Sequence, residues 1–134
     1  MTQEEKDLLF KDLSARLPYH VRCKVWLKYG VTEEGPLDLE HNYGDVLRDA
    51  FFYHEIKDIK PYLRPMSSMT EEEIIEFNNI PSTKNYTIIE NDLPWDVAHY
   101  KQIDWLNKKM FDYRGLIEKG LAIEVTEENN PYKN

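Results

Sequence analysis

The sequence predicts an α+β protein: a small antiparallel sheet with an N-terminal helix and two or three C-terminal helices. Three observations carry that prediction. Leu9, Leu13 and Leu17 recur at four-residue spacing, which gathers them on one face of a helix. In HVRCKVWLKY, Val21, Cys23, Val25, Leu27 and Tyr29 alternate with His20, Arg22, Lys24, Trp26 and Lys28. That period of two is a strand with one face on a core and a basic face toward water. Helical spacing then returns after Pro94, in Ile103, Leu106 and Met110. The length of 134 residues suits one domain. Residues 1–125 read as the globular body and 126–134, TEENNPYKN, as a polar tail that frays.

Taken in order, the first helix spans residues 2–16. Thr2 and Glu5 have capping-box spacing, in which each side chain takes the other's free backbone N–H. Pro18 stops the helix near Arg16, because the residue before a proline is pushed out of helical geometry. The strand at 20–29 follows, and Gly30 with TEEGPLD supplies turn chemistry. Between 45 and 56 two readings stay open: Leu47, Ala50, Phe51 and His54 have helical spacing, whereas FFY suits a strand, and the balance favours a strand over 51–59. In the next segment, IKPYLRPMSSMTEEE (59–73), Pro61 and Pro65 remove two N–H donors and fix two φ angles. Residues 60–65 are therefore expected as an extended connector rather than a central strand. Thr70 and Glu73 repeat the capping box, with Glu71 and Glu72 in a first turn that favours carboxylates. Ile74, Ile75 and Phe77 give this short helix an apolar face, and Asn78, Asn79 and Pro81 end it. YTIIE (86–90) is a candidate strand. A helix is expected over 95–110 behind Pro94, a second over 113–119 ending at Gly120, and a last strand at 121–125.

A hydrophobic share of 41% with 13% aromatics is enough for a core, which argues against wholesale disorder. No segment approaches the roughly 20 apolar residues of a membrane span, and the amphipathic MTQEEKDLLFKDL is no secretory leader. A single cysteine, Cys23, fits a reducing compartment; the expectation is a cytoplasmic protein. The net charge of −8 is uneven: residues 30–59 and 70–99 are each net −6, while 60–69 carry only Lys60 and Arg64. Nucleic acid is an unsuitable partner, because binding it requires clustered Lys and Arg.

Each candidate site has a structural reading beside its functional one. Lys60, Tyr62 and Arg64 form a cation–aromatic cluster in a proline-bounded segment, the chemistry of a partner-docking surface. The structural reading, which is favoured, packs Tyr62 and Leu63 down and pairs Lys60 and Arg64 with the flanking acids. Asp92, Asp96 and His99 have spacing that could share a helix face as metal ligands, and Asp38, Glu40, His41 and Asp45 add acids elsewhere. No H-E-x-x-H or calcium-loop spacing accompanies them, so a solvated helix start and a polar loop are the favoured readings. Cys23 lies on the apolar side of its strand, where a cysteine is an inert hydrophobe, and Trp105 reads as core. No nucleophile or cofactor motif is present in the sequence: G-x-S-x-G, P-loop and G-x-G-x-x-G are all missing.

IKPYLRPMSSMTEEE, together with IDWLNKKMFDYRGLIEKGLAIE (103–124) and LLFKDLSARLPYHV near the N-terminus, resembles a group of small uncharacterised proteins from gut anaerobic bacteria, their prophages and phages. The resemblance implies a mobile-element or accessory setting and brings no activity, cofactor or catalytic residue. The leading expectation is a non-enzymatic accessory protein that binds another protein. Two others stand beside it: a metal- or carboxylate-dependent enzyme with a site near 38–45 and 92–99, and an acidic mimic of nucleic acid. A helix-turn-helix reading of the C-terminal helices, using Lys101, Lys108, Lys109, Arg114 and Lys119, comes last.

Overall fold

A computed structural model describes residues 2–27, 32–36, 56–80 and 100–133. Its described elements are α1 (Gln3–Arg16), β1 (Arg22–Leu27), β2 (Thr32–Pro36), β3 (Ile56–Pro65), α2 (Glu71–Asn78), α3 (Tyr100–Lys108), β4 (Phe111–Asp112) and β5 (Ile123–Glu124). The class is α+β, with the helix at the N-terminus.

The sheet is mixed rather than antiparallel. Its order is β2-β1-β3-β4, with β5 also pairing β3. β1 is antiparallel to β2 and β3, whereas β4 and β5 run parallel to β3. The long connection through α2 and α3 brings the chain back to start β4 in the same direction, which a tight hairpin cannot do. The TEEGP stretch, expected as a turn, is strand β2, with Gly35 opposite Cys23.

The larger correction concerns residues 60–65, which form the second half of the central strand. The reason lies in where the Pro61 nitrogen points. Cys23 is opposite Pro61, so extending the register by one residue places Arg22 opposite Tyr62. The Arg22 N–H donates to the Tyr132 hydroxyl (3.0 Å), which itself donates to the Tyr62 carbonyl (2.8 Å). Those two backbone groups therefore face each other across the ladder. Antiparallel pairs alternate in the side to which their backbone groups point, so the Pro61 nitrogen is aimed away from β1 and costs that ladder nothing. Pro65 closes the strand opposite Asp112.

The core lies on one face of this sheet. Leu9 and Leu13 of α1 pack with Val21, Cys23 and Val25 of β1, Ile59 and Leu63 of β3, and Met110, Leu116, Leu121 and Ala122. α1 begins at a complete Thr2–Glu5 capping box. Beside its leucines it also buries an ion pair. Arg16 and Asp12 are both at 0% exposure, 2.9 Å apart, and Arg114 reaches Asp12 Oδ1 at 2.8 Å. Arg16 further donates to the carbonyls of Phe111 (2.6 Å) and Leu106 (3.4 Å). This network ties α1 to the α3–β4 corner, where Leu106 is buried as expected; the helix expected to run to Met110 ends at Lys108, and Met110 is buried beyond it at φ +63.

Residues 113–119 do not form the expected helix. Gly115 has φ +76 and interrupts it at the third residue. The Asp112 carboxylate instead accepts from the Leu116 and Ile117 N–H groups (both 2.9 Å). The turn then closes through Leu121 N–H to Leu116 O and Gly120 N–H to Ile117 O, a Schellman closure with Gly120 at φ +72. Residues 126–133, expected to fray, are tied to the body. Asn129 donates to the Glu124 carbonyl and Tyr132 packs against the core. The expected strand at 86–90 and the first residues of the 95–110 helix lie outside the described residues, as does 51–55 of the 51–59 strand.

Candidate functional site

The Lys60, Tyr62, Arg64 triad alternates along β3 and so shares the sheet face opposite the core. The structure spends all three side chains within the fold. Lys60 Nζ is 5.8 Å from the Trp26 ring centroid, with Lys24 Nζ at 5.4 Å over the same ring. The Tyr62 hydroxyl donates to Glu34 Oε1 at 2.8 Å. Burial, helped by that carboxylate, pushes the Tyr62 hydroxyl up to about 12. Arg64 grips Glu73 with two nitrogens, both at 2.8 Å, and Nη2 also donates to the Ser68 carbonyl at 3.3 Å. Its guanidinium lies 4.1 Å from the Phe111 centroid. The Arg64 hydrogen bonds hold the Glu73 carboxyl at about 2, well below its ordinary range.

Arg64 is thus the anchor of α2 rather than a free docking residue. Beyond it runs a short aromatic series. Phe111 stacks on Trp105 (5.7 Å, 17°), and Trp105 meets Phe77 of α2 (5.6 Å, 50°). The Trp105 indole N–H donates to Glu76 at 2.9 Å. Trp105 therefore serves as packing, but between two helices on the far face of the sheet rather than in the main core.

These contacts fix which way α2 faces. Glu73, Glu76 and Phe77 lie on one side of the helix by their three- and four-residue spacing, and this side meets Arg64 and Trp105. Glu71, Ile74, Ile75 and Asn78 fall on the other side. Ile74 is 44% exposed and Ile75 61%, and α2 buries none of its residues. The apolar face expected of Ile74, Ile75 and Phe77 is therefore divided: Phe77 packs on Trp105, while the two isoleucines are exposed. The cap and the arginine clamp require Glu73 inward, and α2 is too short to turn both sides to the body. The one local signal was the capping box itself, which names Glu73 as its acid; its pairing with Arg64, nine residues away, is not a local pattern.

Just before α2 a 3-10 turn, Met66–Ser68, borders a cavity of about 490 Å³. Its lining includes Met66, Tyr113, Ile117, Glu118 and Glu124. The size is within the range of small ligand sites. Asp112, also in the lining, already caps the following turn. The Glu118 and Glu124 carboxylates have no hydrogen-bond or ion-pair partner among the described residues.

Asp38, Glu40, His41, Asp45, Asp92, Asp96 and His99 lie outside the described residues, and among those described no group of His, Cys, Asp or Glu could hold a metal ion. Cys23 is buried and its thiol is pushed up by that burial, the setting of a packing cysteine. No helix among the described residues is long and apolar enough to cross a membrane.

Fold and site together define a class by their chemistry: an α+β sheet protein whose far face carries a polar-clamped helix with its apolar side outward. No protein family, curated protein or solved structure matches the chain.

Proposed function

We propose that this chain is a small accessory protein that acts by binding another protein, with α2 as the element it presents. The observation that supports the reading is the orientation of α2. Burying an isoleucine is worth about 1.5–3 kcal/mol, so a helix that only completes a fold turns its isoleucines inward. Here the inward side is held by Glu73, Glu76 and Phe77, and Ile74 and Ile75 face away from the body. A fixed helix with an apolar outer side is what helix-in-groove recognition uses. The resemblance of residues 59–73 and 103–124 to the mobile-element group supports an accessory setting.

The test is a double variant, Ile74→Ser with Ile75→Ser, compared with the wild type in melting and in capture from lysate of the native source. The expected outcome is an unchanged melt and loss of a protein that the wild type recovers. Equal recovery by both proteins overturns the reading. So does concentration-dependent self-association that the variant abolishes, which would make a second copy the occupant.

A further inference from the structure

The outer side of α2 has a charge as well as a shape. Between Met66 and Ile80 there is no Lys, Arg or His, and there are four glutamates. Among the described residues only Glu73 has a cationic partner, Arg64. Glu76 accepts one neutral indole N–H. Glu71 and Glu72 are exposed and have no side-chain partner among the described residues. The helix that carries the two isoleucines therefore holds acidic side chains and no cationic one. The turn that starts α2 is tied to it through Arg64, which binds both Ser68 and Glu73. That same turn borders the cavity whose lining includes the exposed Glu118 and Glu124, neither carboxylate partnered among the described residues, with Met66 (42% exposed), Tyr113 and Ile117 as apolar wall.

We infer that the partner's surface is an apolar groove flanked by Lys and Arg, and that one of those cationic side chains enters the cavity beside Met66. This rests on α2 being the presented element. An apolar contact alone would leave Glu71 and Glu72 facing uncharged surface, and an acidic partner would be repelled. A basic rim matches them and steers the encounter. A long basic side chain can lay its methylenes on Met66 and Ile117 and bring its charge to the two free carboxylates.

The test uses a designed probe, an amphipathic helical peptide of leucine and lysine, titrated into the full chain and followed by backbone NMR. Two control peptides carry glutamate for lysine, or serine for leucine. Expected are saturable shifts at residues 71–78 and at Met66, Ile117, Glu118 and Glu124 with the leucine–lysine peptide, and none there with either control. Glu71→Lys with Glu72→Lys should weaken binding by about tenfold or more, and added salt should weaken it too. Glu118→Gln with Glu124→Gln should weaken binding of the leucine–lysine peptide and reduce its shifts at Met66 and Ile117. Shifts elsewhere than α2 and the cavity, or equal binding of the glutamate peptide, overturn the inference. If the isoleucine variant still loses its native partner in that case, protein binding by α2 stands and only the partner's chemistry is wrong. If neither the isoleucine nor the charge variants change capture, both fall.

Discussion

Arg64 joins three elements, and its bonds to Glu73 make predictions about acid. Glu73 is held at about 2 against an ordinary value of 4.5, so folding favours its charged form. Its contribution is complete above about 4.5 and is lost as pH falls from there through about 2. The difference in melting midpoint between wild type and Glu73→Gln should be constant near neutrality and close over that window; a full difference remaining at pH 2 would show that another group titrates. Thr70 caps the same helix, with both halves of the box made (3.0 and 3.2 Å). Thr70→Ala should cost about 1 kcal/mol in denaturant melts, and an unmoved midpoint would contradict the cap. At Asp12 the stakes are larger. Asp12→Ala leaves Arg16 charged at 0% exposure beside its carbonyl partners, and removing one member of a buried pair costs about 3–5 kcal/mol. Equilibrium unfolding that shows less than 1 kcal/mol would mean water enters the site to replace the carboxylate.

At the scale of elements, both capping boxes and the alternating strand were legible in the sequence because each is a local pattern whose partners lie within four residues. The α2 orientation and the 113–119 turn were not. Hydrophobic residues mark an inward face only when nothing stronger sets the rotation, and here Arg64, nine residues from Glu73 in sequence, sets it. Likewise Gly120 was legible as a terminator, but the helix it was expected to terminate is a single turn, because Asp112 bonds the Leu116 and Ile117 N–H groups and Gly115 takes a positive φ. Gly120→Ala should therefore cost about 1 kcal/mol from left-handed geometry alone, since a Cβ there meets nothing within 4 Å. A melt unchanged by that substitution would argue for a different closure. The α2 double serine variant tests the opposite expectation: its stability should stay within about 0.5 kcal/mol of wild type.

For the whole molecule, the sequence conveyed the class but not the connectivity of the sheet. Pro61 is a poor strand residue in isolation, and only the register against β1 shows that its missing N–H faces away. The next rung of that register is filled by Tyr132, whose hydroxyl bridges Arg22 and Tyr62. Composition made the segment around Tyr132 look like a tail, since eight of its nine residues are polar, charged or proline. Tyr132→Phe keeps the ring and removes the bridge, leaving two facing backbone groups unpaired at a cost of about 1–3 kcal/mol. Amide exchange at Arg22 should quicken in that variant; unchanged exchange would mean the two strands close directly. The bridge also has a meaning in time. Its hydroxyl meets the Arg22 N–H across a separation of 110 residues, and contacts that distant carry the heaviest loop-closure entropy. The strands can pair and the core can gather before this rung is in place, so it belongs to the native side of the folding barrier. Tyr132→Phe should then leave the refolding rate nearly unchanged and place its whole effect on unfolding. The last rung of the sheet sets how long the folded molecule lasts, rather than how quickly it forms.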